Sequence, residues 1–235
     1  MSAPCVKFST REDNIQCIFA SDGLIGDFVA DIPFEKIIIN DGNMNSICSR
    51  TCSYIRTLNP SISPIVIFSA GSMNLSITKF YEEFGRLPTT YFQNKENVSY
   101  ILDTLSKALL GPTEKLLSLI LERGGRILFT SLIPLPCNFS KDVPIDIQKV
   151  LSEAFIDFNT NIKGLNSTVN GYTCYIAREV EWNNSFSDLV LQRRIKRSYY
   201  KEDMMHLKDK AKSRVVSALI RIAGQIFDFE LSLPY

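Results

Sequence analysis

Asp203 and His206 are the pair in this sequence best suited to acid–base chemistry, because His206 is the one histidine among 235 residues. An imidazole is the usual base for activating a serine near neutral pH. A carboxylate three positions earlier can orient that ring when the segment is a loop or a single helical turn. The same pair also reads as a solvated Asp and His at the entrance of a helix. The choice between them rests on what the remaining elements bring alongside.

No other chemistry competes strongly. Cys5, Cys17, Cys48, Cys52, Cys137 and Cys174 are scattered. Cys48 and Cys52 lie four apart on a predicted helix, without a second pair or a histidine to complete a zinc site. Neither metal nor cofactor is expected, and reduced thiols point to a cytoplasmic or nuclear protein. No apolar run reaches the 18 or more residues of a membrane span, so no membrane partner is expected.

The net charge of +1 hides an uneven distribution. Between Arg193 and Arg221 ten Lys or Arg face three acids, so that stretch is +7 and the remainder −6. Arg193, Arg194, Lys196, Arg197 and Lys201 interleave with Tyr199 and Tyr200, a pattern that suits phosphate contact with base stacking. Lys208, Lys212 and Arg214 extend the basic surface along the next helix. The plainer reading is a solvated loop and helix face. RNA and a protein are the two partners this pattern suits.

The elements needed to position these residues alternate. Phe34 to Ile39, Pro64 to Phe68, Arg126 to Ile133 and Gly171 to Ala177 read as buried strands. Ser46 to Leu58, Glu96 to Leu110, a helix opened by Pro112, Pro144 to Asn161 and Lys208 to Phe227 read as helices. Leu75 to Asn94, with Phe80, Tyr81, Phe84, Tyr91 and Phe92, reads as a long loop. Its aromatics suit either core or an exposed patch. Alternation of this kind predicts an α/β fold, a three-layer flavodoxin-like parallel sheet with helices on both faces. Residues 1–33 are expected to be an N-terminal extension packing on a domain of residues 34–235, with Gln16 to Ala20 able to supply a strand.

Three turns at strand ends then fall in order: Asn40-Asp41-Gly42-Asn43, Gly71-Ser72-Met73-Asn74, and Asp203 to His206 before the last helix. In order and spacing this resembles the SGNH (GDSL-like) hydrolase family. Its members carry a Gly-Asp-Ser turn with the nucleophile, a Gly-x-Asn-Asp turn whose Asn serves the oxyanion hole, and a C-terminal Asp-x-x-His. Asp41 matches the first Asp, but Gly42 stands at the serine and Asn40 at the glycine. Gly71 matches, while Met73 stands at the oxyanion Asn and Asn74 at the following Asp. Asp203 and His206 match fully.

Glycine has no oxygen to attack a carbonyl, and methionine has no N–H to donate to an oxyanion. The resemblance therefore implies an SGNH-hydrolase-like fold with vestigial Asp41, Gly42, Gly71, Met73, Asp203 and His206, acting as a binding module. Lack of the serine is similar to the Oskar C-terminal domain type, and that analogy implies RNA. The alternative is an active esterase with a relocated nucleophile, Ser46 or Ser72, and His206 as base. The two turns also read simply as strand ends, with Asp41 capping the following helix.

Overall fold

The computed structural model describes residues 14–24, 34–40, 42–132, 135–166, 171–174 and 197–227. Five strands, β1 (Ile15–Asp22), β2 (Glu35–Ile39), β3 (Ser63–Ser69), β4 (Arg126–Thr130) and β5 (Gly171–Cys174), form one parallel sheet in the order β2-β1-β3-β4-β5. The helices are α1 (Met44–Thr57), α2 (Ile77–Phe84), α3 (Lys95–Glu122), α4 (Ile145–Asn166) and α5 (Asp209–Phe227). The α/β expectation holds.

Period-2 alternation splits the core. Ile18, Ala20, Val66, Phe68, Ile127 and Phe129 face one side, packed with Ile47, Ile55, Leu105, Leu116, Leu151 and Phe155 of α1, α3 and α4. Cys17, Phe19, Ile65, Ile67 and Leu128 face the other, against Ala211, Val215, Val216, Leu219 and Ala223 of α5. Both faces of the sheet are thus covered, which is why its strands read as continuous apolar runs.

Three expectations need correction. β1 is an interior strand, paired with both β2 and β3, so a domain boundary at residue 34 would cut through the sheet. Gln16 to Ala20 does supply a strand, but that strand precedes the others and divides the second from the third. Next, Pro112 does not begin a new helix; it lies inside the 28-residue α3. An interior proline costs about 3 kcal/mol. Here Leu105, Leu109, Thr113, Leu116 and Leu117 on either side of it are all buried, and their burial keeps one helix running across it.

Last, the stretch from Leu75 to Asn94 is folded, not a loop. It contains α2 flanked by two short 3-10 turns, Ser72–Leu75 and Thr89–Gln93. Phe80, Phe84 and Phe92 are core, with ring centroids 5.1 Å (Phe80–Phe84) and 5.7 Å (Phe80–Phe92) apart. Tyr81 is the exposed member of the group, and Tyr91 is half-buried.

Candidate functional site at the carboxyl ends of the strands

Ligands of open α/β sheets bind outside the carboxyl ends of the strands, where the strand order reverses. In this sheet that point lies between β1 and β3. β1 ends in Asp22, which is fully buried. Its Oδ2 accepts the Gly71 N–H at 2.9 Å and its Oδ1 the Leu24 N–H at 3.1 Å. Gly71 sits at φ 109°, a left-handed conformation suited to glycine, and this turns its N–H toward the carboxylate. Burial pushes the Asp22 carboxyl up to about 6; the amides of Leu24, Gly71 and Met73 and the charge of His206 oppose that rise.

The Asp203-to-His206 loop is closed by an antiparallel bridge between Tyr200 and Leu207 and by the Lys201 N–H to the His206 carbonyl at 2.7 Å. Met204 adopts φ 56°, which folds the loop back on itself. Asp203 Oδ1 accepts the backbone N–H groups of Met205 (2.8 Å) and His206 (2.9 Å), and its Oδ2 lies 2.7 Å from His206 Nδ1. Burial raises the Asp203 carboxyl, but the two amides and the imidazole outweigh it, and the net shift is downward. The Cys137 N–H donates to the Met204 carbonyl at 3.3 Å, joining this loop to the segment after β4. The Cys137 thiol itself is pushed up to about 11 by burial and is held protonated.

The strand-end loops are fastened by three asparagines. Asn74 Oδ1 accepts the Met44 N–H at 2.8 Å. Asn138 accepts the Ile77 N–H (2.7 Å) and donates to the Leu75 carbonyl (2.6 Å). Asn159 of α4 accepts the Leu132 N–H (2.8 Å) and donates to its carbonyl (3.3 Å).

The turn assigned from sequence to the first motif therefore follows β2, the edge strand. The turn after β1 is Ser21-Asp22-Gly23, which is likewise an Asp-Gly behind an apolar run. Asp41 lies outside the described residues. The cap of α1 is Asn43, whose Oδ1 accepts the Ser46 N–H at 2.8 Å. Gly42 is needed where it is: a Cβ there would stand 2.7 Å from Ile39 Cβ and 2.8 Å from the Ile39 carbonyl oxygen. Gly42 lines a cleft of about 330 Å³ with Asn43, Met73, Asn74, Lys79, Glu82 and Glu83. His206 is not among the residues lining it.

Of the candidate nucleophiles, Ser46 is half-buried on the first turn of α1 and donates to the Asn43 carbonyl at 2.8 Å, while Ser72 is buried. Ser21, also buried, donates to the Ser69 carbonyl at 2.9 Å.

The basic surface is smaller than the sequence suggested. Tyr200 is 2% exposed and Lys212 1% exposed; both pack into the α5 side of the molecule and neither can meet a nucleic acid as expected. Tyr199 is half-buried against the same cluster. Lys201 and Lys208 are exposed, and Lys208 Nζ donates to the Ser198 carbonyl at 3.0 Å. Arg193, Arg194 and Lys196 lie outside the described residues, as do the side chains of Arg197 and Arg214.

Among the described residues no three His, Cys, Asp or Glu side chains gather as a metal would require, and no helix is long and apolar enough to cross a membrane.

Comparison of the fold with solved structures returns GDSL-type hydrolases. A lipolytic protein of the G-D-S-L family from Veillonella parvula superposes with a TM-score of 0.53 at 8% identity, over 88% of this chain and 97% of that one. A GDSL-like lipase from Bacteroides thetaiotaomicron gives 0.53 at 14% identity, over 94% and 91%. The lipase Lip_vut3 from a goat rumen metagenome gives 0.52 at 12% identity, over 89% and 97%. The chain therefore has the SGNH/GDSL-like fold. No family model matches the sequence, and no curated protein matches it.

Proposed function

We propose that this chain is an SGNH-hydrolase-like domain that has lost esterase chemistry and serves as a binding module. One observation carries the reading: Asp22 ends β1 at the point where the strand order reverses, accepts the Gly71 N–H at 2.9 Å, and is followed by glycine. By strand order the family's Gly-Asp-Ser position falls on Ser21-Asp22-Gly23 instead of Asn40-Asp41-Gly42. Either alignment puts glycine where the nucleophile belongs. Met73 has no side-chain donor for an oxyanion, a contact ordinarily worth about 3 to 4 kcal/mol of transition-state stabilisation.

RNA is the ligand this reading favours, bound through Arg193, Arg194, Lys196, Arg197, Lys201 and Lys208. The support is the local charge of +7 between Arg193 and Arg221 and the exposure of Lys201 and Lys208. Filter binding to single-stranded RNA across a salt series tests it. Binding should weaken steeply with salt and on changing Arg193, Arg194, Lys196 and Arg197 to Ala. Absence of binding at low salt would remove RNA and leave a protein partner.

The Asp203–His206 contact at 2.7 Å favours a second reading, an esterase whose serine has moved. It requires p-nitrophenyl acetate turnover that disappears in His206→Ala. Equal rates in the two proteins exclude it.

A further inference from the structure

The cleft between Gly42 and α2 has features that the reading above leaves unused. Asn74 Oδ1 is committed to the Met44 N–H, while its Nδ2 donates no hydrogen bond within the described structure. Of the α2 residues that also line the cleft, Glu82 is paired with Lys79 at 2.6 Å, whereas Glu83 is exposed and forms no ion pair among the described residues. The cleft thus offers one amide donor and one uncompensated carboxylate. Its volume of about 330 Å³ falls at the lower end of small-ligand sites.

We propose that this cleft binds a guanidinium or ammonium group carried next to a carbonyl, the cation on Glu83 and the carbonyl oxygen on Asn74 Nδ2. A carboxylate paired with guanidinium makes charge-assisted, bidentate contacts. An anionic ligand is disfavoured by the unpaired Glu83, so this is not a second phosphate surface. The inference rests on the strand ends being a binding site and not a hydrolytic one. The two fail separately, since ester turnover can appear without any loss of this binding. The chemistry could be that of a free amino-acid amide or of a basic side chain on a partner protein.

Titration of the 15N-labelled chain with Nα-acetyl-L-arginine methylamide, up to about 10 mM, provides the test. The amide signals of Gly42, Asn43 and Asn74 should shift, and Nα-acetyl-L-glutamate methylamide should leave them unmoved. Glu83→Gln, on an exposed position with no structural partner, should weaken binding about tenfold. Asn74→Asp keeps the acceptor for Met44, removes the donor and adds a negative charge. The proposal requires it to weaken binding, because attraction of the cation alone would tighten it. A peptide with a central arginine that binds markedly better than the amide assigns the site to a partner's side chain; equal binding assigns it to a small molecule. No shift with either probe, or tighter binding by Asn74→Asp, overturns the proposal.

Discussion

The Asp22 carboxylate accepts the Gly71 N–H at 2.9 Å, across 49 residues of sequence, and so ties the end of β1 to the end of β3 where the sheet reverses order. A buried anion at this point has a pH signature opposite to that of most carboxylates. Its folded value of about 6 lies above the ordinary 3.8, so the folded state takes up a proton that the unfolded state does not. The contribution is fully favourable below about pH 4 and is lost as pH rises through 6, a swing of about 3 kcal/mol. Urea unfolding from pH 4 to 8 should show the wild type losing stability with rising pH relative to Asp22→Asn. A constant gap between the two would contradict this.

Asp203 behaves in the reverse sense. Its carboxyl is held below its ordinary value, so its contribution is present above about pH 4 and fades as the solution is acidified. Asp203→Ala removes three contacts of a loop-closing side chain and should cost about 1 to 2 kcal/mol at pH 7. The gap between the thermal melts of the two proteins should narrow as the pH is lowered below about 4.

Restoring a hydroxyl should work at one glycine and fail at the other. On the proposed placement of the first motif at Asp22, Gly23→Ser combined with Met73→Asn supplies a hydroxyl and a side-chain donor, and should gain p-nitrophenyl acetate turnover that His206→Ala abolishes. Gly42→Ser places its Cβ against Ile39, so it should destabilise by about 1 to 3 kcal/mol and gain nothing. Turnover in Gly42→Ser alone would return the nucleophile position to β2.

Tyr200 separates folding from binding. Because it is core, Tyr200→Ala should cost about 3 to 5 kcal/mol in urea unfolding. Tyr200→Phe keeps the ring in place and should leave RNA affinity within twofold of wild type; a larger loss would put the Tyr200 hydroxyl on the ligand.

The sequence made the fold legible where pattern and packing agree. β3 and β4 are short apolar runs, and α5 carries its buried face at Val215, Val216, Leu219 and Ala223 as helical spacing requires. It misled where long-range pairing decides. Nothing local says that Ile15 to Asp22 sits inside the sheet; the pairing of Ile18 with Glu35 and Val66 does. That pairing is the basis for proposing the first motif at Asp22 in place of Asp41. Pro112 and the aromatics after Leu75 show tertiary burial overriding local breakers. Tyr200 and Lys212 look like surface chemistry because their types are polar, yet backbone pairing at Leu207 and the phase of α5 turn them inward.

Asn74, Asn138 and Asn159 carry neutral carboxamides that do not titrate, and each clasps backbone from a distant part of the chain. The contour of the rim is therefore underwritten by side chains that need take no part in any reaction. A scaffold built this way holds its strand-end loops whether or not they carry a nucleophile or an oxyanion donor. Its recess is a shape set by the backbone, independent of which side chains line it.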